Sequence, residues 1–324
     1  MKSRHVVFAS LALTMLFSFM TPAHHMAASA SSNRRLFKNI PRDSRHVHYL
    51  AKKFTRSKFR KLKADERLKL QKHLQKKYNL TFKTRSTKYF NIAYRCPEAR
   101  MNHLQRYLVK FFQQVYPRYF IYEPTHVINV IYFANKQSYT KHTKSGAYGY
   151  YTSWTKTLTT YAYSGHGTLW HELIHAFVDQ NCQSNPQQWF NEGFASFYEM
   201  AFLHNGRVSE GYTNWRMPYL KASIQKGSFS HLRDMMKESW MKEDYGYAKA
   251  RFLFCYLWVN GKMETFVKAY LYDLCPNYRG PRLGKMAIKK MEELTGKNIH
   301  TINKEYLAMA RKAKKNQKLY RKRI

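Results

Sequence analysis

Residues 157–178 read TLTTYAYSGHGTLWHELIHAFV, and the pattern changes character halfway through them. Thr157–Tyr163 is rich in Thr and Tyr, residue types that suit a pleated, half-buried surface, and reads as a strand. Beyond Gly167 the apolar residues recur at helical spacing, and a helix is expected over 168–180. Everything before this switch looks strand-rich. Phe90–Tyr94 reads as a strand, Leu104, Leu108, Phe111, Phe112 and Val115 give a helical stripe up to Pro117, and Val127–Phe133 (VINVIYF) is a buried strand. Gly146–Tyr151 adds another strand-like run. Everything after it looks helical, with helices expected over 187–204, 213–226, 246–260, 262–272 and 283–294 and a last one from Asn303. Strands first and helices afterwards indicate an α+β domain, with a sheet lobe and a helical lobe.

The helix at the switch carries chemistry. His171-Glu172-Leu173-Ile174-His175 places two imidazoles four residues apart, on one helical face, where both can bind one metal. Glu172 reaches the same side without needing to be a ligand. The fillers Leu173, Ile174, Ala176, Phe177 and Val178 are apolar, so the helix is expected to be buried. Sixteen residues lie between His175 and Glu192, which sits in Trp189-Phe190-Asn191-Glu192-Gly193-Phe194-Ala195. A catalytic zinc takes three protein ligands and keeps one position open, and Glu192 on the next helix is a natural third ligand. Gly193 allows close helix approach, Trp189, Phe190, Phe194 and Phe197 can form the packed face, and Asn191 is the expected hydrogen-bond partner of a ligand.

H-E-x-x-H followed by a helix bearing N-E-G-F-A resembles the gluzincin metallopeptidases, the superfamily of thermolysin and aminopeptidase N. Residues 247–257 (YAKARFLFCYL) are similar to the Tyr-x-Lys-Gly helix of aminopeptidase N relatives. The resemblance spans roughly residues 90–260. It implies a thermolysin-like fold with a small mixed-sheet lobe, a helical C-terminal lobe and the motif helix between them. It further implies one Zn²⁺ per chain on His171, His175 and Glu192, with Glu172 as general base and Tyr247 as donor to the oxyanion of a peptide substrate. Aminopeptidases have eighteen residues between the second His and the Glu. They also carry G-x-M-E-N where this chain has Gly146-Ala147-Tyr148-Gly149-Tyr150, so the Glu that grips a free amine is missing. The chain is more similar to the small secreted gluzincins grouped as peptidase MA-like.

The flanks are basic. The 324 residues hold 57 Lys and Arg against 19 Asp and Glu, a net charge of +38, which predicts attraction to polyanions. With 44% hydrophobic and 16% aromatic residues the chain is too apolar to be disordered. Only one apolar run approaches membrane-spanning length, which excludes a multi-pass membrane protein. That run, Val6–Met20, follows Lys2 and Arg4 and precedes Ala28-Ser29-Ala30, the order of a cleaved secretory signal over 1–30; a retained anchor is the alternative. Residues 31–88 are expected to form a basic helical arm, with twenty basic and three acidic residues from Arg34 to Lys88. The metallopeptidase-like domain is expected over 89–300 and a basic tail over 301–324. Arm and tail are expected to meet anionic cell-envelope polymer or lipid, in the periplasm, outside the cell or at its envelope, with nucleic acid bound only non-specifically. Export permits disulfides, and Cys96, Cys182, Cys255 and Cys275 allow three double pairings, with Cys255 also placed to be a buried thiol. The competing reading is a catalytically silent protein of the same fold that binds polyanionic envelope material; the intact Glu172 speaks against it.

Overall fold

The computed structural model describes Asp65 and residues 68–322, apart from 125, 183–184, 239–240 and 242–244. The expected export signal over 1–30 and most of the basic arm lie outside the described residues.

In chain order the sheet lobe comprises α1 (68–78), β1 (Lys83–Ser86), β2 (Phe90–Tyr94), α2 (Glu98–Tyr119), β3 (Ile128–Phe133), α3 (Lys136–Thr143), β4 (Gly149–Thr152) and β5 (Thr157–Tyr161). The strands form one mixed sheet ordered β1-β2-β3-β5-β4. Its three central strands run parallel, and each edge strand is antiparallel to its neighbour. Side chains alternate along β3. Ile128, Val130 and Tyr132 join the main core with α2 and the motif helix, while Ile131 and Phe133 face Leu70, Leu74 and Tyr78 of α1 and Tyr139 of α3. Both faces are covered, which is why β2, β3 and β5 read as unbroken apolar or uncharged runs.

The motif helix α4 (His166–Asn181) leads into α5 (Gln188–Phe197), a 3₁₀ turn (Tyr198–Met200) and a hairpin of β6 (Phe202–His204) and β7 (Arg207–Ser209). Then follow α6 (Met217–Gln225), α7 (Leu232–Lys237), α8 (Gly246–Val259), α9 (Met263–Ala269) with a π-turn (Tyr270–Leu274), α10 (Gly280–Thr295) and α11 (Ile299–Lys312). Helix α8 is apolar nearly all round and runs through the centre of the helical lobe. Its buried Arg251 is satisfied by the Ser196 and Tyr212 carbonyls at 2.7 and 2.5 Å. The whole is α+β, as the order of strand and helix signals predicts. Among the described residues no helix is long and apolar enough to cross a membrane.

Several features differ from expectation. The helix expected over 187–204 stops at Phe197, because Asn205-Gly206, with φ of 49° and 74°, makes the tight turn of a hairpin. The sheet begins before Tyr89: Lys83–Ser86 pairs with Asn91–Tyr94, so the end of the basic arm belongs to the domain. The short helix α7 escaped the sequence reading. The chain beyond residue 300 is no loose tail either, since Ile302, Tyr306, Ala310, Ala313 and Leu319 are buried. Of the possible pairings, Cys182–Cys275 forms, joining the end of α4 to the π-turn, and Cys96 and Cys255 are buried free thiols.

Candidate metal centre

Helix α4 begins at Gly165–His166 and packs against the 3₁₀ turn at once. A side chain at Gly167 would collide with the Glu199 carbonyl, so only glycine permits this approach. One turn further on, the Nε2 atoms of His171 and His175 stand 3.0 Å apart. Glu192 closes the triangle, Oε2 lying 3.3 Å from His171 Nε2 and Oε1 3.7 Å from His175 Nε2. The placement of Glu192 follows from α5. Its residues Trp189, Phe190, Phe194 and Phe197 are buried, and Gly193 lets it cross α8 so closely that a Cβ there would stand 2.8 Å from the Ala250 carbonyl oxygen.

With neutral imidazoles, three lone-pair donors converge here. Ligand atoms held about 2.0–2.1 Å from one tetrahedral ion stand about 3.3 Å from one another, close to the separations found. The three residues are partly buried, and they can hold a metal ion. Without one, protons do the balancing. Burial works against a charged His171, but Glu192 and Glu199 outweigh it and push its pKa up to about 10. Burial likewise opposes ionisation of Glu192, yet His175, His171 and Arg216 hold its carboxyl below the ordinary value.

Glu172, one residue along α4, lies within electrostatic reach of both histidines and of Glu192. It is 8% exposed, and burial raises its pKa although both histidines pull the other way. The backbone of Tyr151 on edge strand β4 also favours the ionised carboxylate. The β4–β5 hairpin is tied to α4 twice over. The Tyr151 hydroxyl donates to Asp179 on α4 at 2.7 Å, and Lys156 reaches the same carboxylate at 2.8 Å.

Sequence reasoning missed the second carboxylate. Glu199 Oε1 lies 3.2 Å from His171 Nδ1, an ion-pair contact aligned too obliquely for a full hydrogen bond. Burial disfavours its ionisation, but His171 and Arg216 hold its pKa at about 2. The signal was the spacing. Glu199 follows Glu192 by seven residues, two turns along the same helical face. Asn191, expected to support a ligand, has no hydrogen-bond partner for its Oδ1 among the described residues. The carboxylate found beside a ligand ring is Glu199 instead.

Tyr247, at the start of α8, lies within electrostatic reach of Glu192 and Glu172; burial first, then Glu192, pushes its pKa up to about 12. The Arg216 guanidinium carbon sits 5.5 Å from its ring centroid. Tyr245 turns elsewhere: its hydroxyl donates to the Ser228 carbonyl and accepts from the Ser230 N–H. The structure thus brings His171, His175, Glu192, Glu172 and Tyr247 into one neighbourhood. No protein-family model matches this chain, and no curated protein matches it.

Proposed function

We propose that this protein is an exported zinc-dependent peptidase with a thermolysin-like, gluzincin-type fold, holding one Zn²⁺ per chain on His171, His175 and Glu192. The observation that carries this reading is the convergence of two imidazoles and a carboxylate beside Glu172, a buried carboxyl that is not needed as a ligand. Zinc in that position supplies Lewis acidity and brings a bound water's pKa toward about 7. The chain's own groups do the rest. Glu172, its pKa raised by burial, accepts a proton from the attacking water and hands it to the departing amine. The Tyr247 hydroxyl, kept protonated, donates a hydrogen bond to the developing oxyanion. Edge strand β4 offers an extended peptide a strand to pair with, next to Glu172. The Cys182–Cys275 disulfide supports an oxidising compartment and hence export.

The deciding experiment is digestion of a peptide library by the purified protein and by Glu172→Gln, with zinc content measured on both. The expected outcome is zinc retained at wild-type stoichiometry and cleavage lost in Glu172→Gln, whereas His171→Ala, His175→Ala and Glu192→Ala lose metal as well. Digestion by Glu172→Gln at the wild-type rate would refute the mechanism.

A further inference from the structure

The Glu199 carboxylate is locked from both sides. Oε1, which faces His171, accepts from Arg216 Nη2 at 2.7 Å; Oε2 accepts from Arg216 Nε at 3.2 Å and from Asn214 Nδ2 at 2.7 Å. The bidentate guanidinium and the amide leave the carboxylate no rotation. Asn214 and Arg216 are themselves joined, since the Arg216 N–H donates to Asn214 Oδ1 at 2.9 Å. Both residues sit on the loop 210–216, which has no helix or strand of its own. A loop of that kind needs an outside partner to hold a geometry.

The partner is the C-terminal chain after α11. Fully buried Thr213 is gripped three times: its N–H donates to the Gln317 carbonyl at 2.9 Å, its Oγ1 donates to the Lys314 carbonyl at 2.5 Å, and its Oγ1 accepts from the Gln317 N–H at 2.7 Å. The Leu319 N–H donates to the Gly211 carbonyl at 2.8 Å, and the Lys322 N–H to the Val259 carbonyl at 2.8 Å. Arg321 approaches Glu210 at 3.7 Å. Residues 313–322 therefore form a strap across the loop, not a free cationic tail.

We propose that Asn214 and Arg216, clamped by the strap 313–322, are positioning residues that act through Glu199 to set the His171 ring for metal binding. The chain of contacts runs from the strap to Thr213, to Asn214 and Arg216, to Glu199, and ends at a ligand imidazole. Partners behind a ligand set its ring orientation and basicity, and losing one typically costs about 10–100-fold in metal affinity. This inference rests on the metal reading of His171, His175 and Glu192.

The test compares full-length wild type with Thr213→Val, Arg216→Met and Arg216→Lys. Zinc affinity is measured by competition with a chelator, and the site is read without substrate from the visible absorption bands of the Co²⁺-loaded protein. Circular dichroism reports folding. Arg216→Met and Thr213→Val are expected to bind zinc about 10–100-fold more weakly, with altered cobalt bands. Arg216→Lys, keeping the charge but not the fork, should recover part of the loss. Thr213→Val preserves shape, lies remote from the ligands and decides the matter should Arg216→Met not fold. Wild-type affinity and an unchanged cobalt spectrum in folded Thr213→Val and Arg216→Lys would overturn the proposal while leaving the metal reading standing. A wild-type protein that takes up no zinc would overturn both.

Discussion

Tyr245 and Tyr247 are two residues apart at the head of α8, and their surroundings give them different work. Tyr247→Phe removes only a hydroxyl near Glu172 and Glu192, and is expected to lower kcat about 10²–10³-fold with little change in KM. Tyr245→Phe, whose hydroxyl bridges Ser228 and Ser230, should instead lower the unfolding temperature and leave kcat alone. Steady-state kinetics on the two variants checks this; a kcat loss in Tyr245→Phe alone would move the oxyanion role. Histidine burial sets a second residue-scale effect. Burial, then the charge of Lys156, brings the pKa of His126 down to about 3, while burial with His103 and Arg100 brings that of His166 to about 4. Each stays neutral when folded but takes a proton below pH 6.5 when unfolded, so stability falls as pH drops from 6.5 toward those values. At pH 5 the more deeply buried His126 costs on the order of 2 kcal/mol, and the half-exposed His166 less because solvent screens it. Urea midpoints of wild type and His126→Gln across pH 4–8 are expected to converge on acidification, the variant losing less.

At the scale of elements, the site depends on how closely α5 crosses α8. Gly193→Ala would put a methyl 2.8 Å from the Ala250 carbonyl oxygen and 2.9 Å from Phe254 Cδ2, with buried helix on both sides. Overpacking of this kind costs about 1–3 kcal/mol. Because Glu192 precedes Gly193, the shift should also weaken zinc binding, which calorimetric unfolding and a zinc titration would show together. The disulfide is the other element-scale tie. It closes a loop with a sequence separation of 93 between α4 and the π-turn, and Cys182→Ser should cost about 2–4 kcal/mol in denaturant unfolding while sparing metal binding. Much of this scale was legible in the residues. The period of α2 was strong because it buries one stripe, and β2, β3 and α4 stood out as unbroken runs because they are buried nearly all round. The hairpin after α5 was signalled by Asn205-Gly206, but the aromatic run before it carries helical spacing as well, and the longer pattern obscured the turn.

Over the whole molecule, exposed cations of the C-terminal segment lie apart in sequence from the His171, His175 and Glu192 cluster. Arg311, Lys312, Lys314 and Lys315 are exposed on the last helix and the strap, in a part of the chain folded onto the domain. The proposed attraction to anionic envelope polymer or lipid is therefore best tested by substitution and not by truncation, which would remove the strap. Wild type should sediment with anionic but not neutral liposomes, and be released between about 0.05 and 0.5 M salt as screening shortens. Replacing the four cations by Gln should weaken that retention without altering zinc content. Equal retention on neutral vesicles would dispose of the attraction and leave the peptidase proposal untouched.

Local pattern was enough to anticipate the α+β order, the buried motif helix, and the grouping of His171, His175 and Glu192. These are properties of periodicity and of spacing along a helix, where neighbours in space are three, four or seven residues apart. What required tertiary structure joins residues far apart in the chain. The pairing of Cys182 with Cys275, the docking of the Tyr245 hydroxyl on Ser228 and Ser230, and the bracing of Glu199 by Asn214 and Arg216 are of this kind. The strap that clamps Thr213 from residues 314 and 317 was the least visible of all. Read along the chain it is a run of lysines and arginines, as suited to water as to a docked strand. Many of the strap's hydrogen bonds use its own backbone groups, which carry no side-chain signature, so only the folded chain could reveal where it binds.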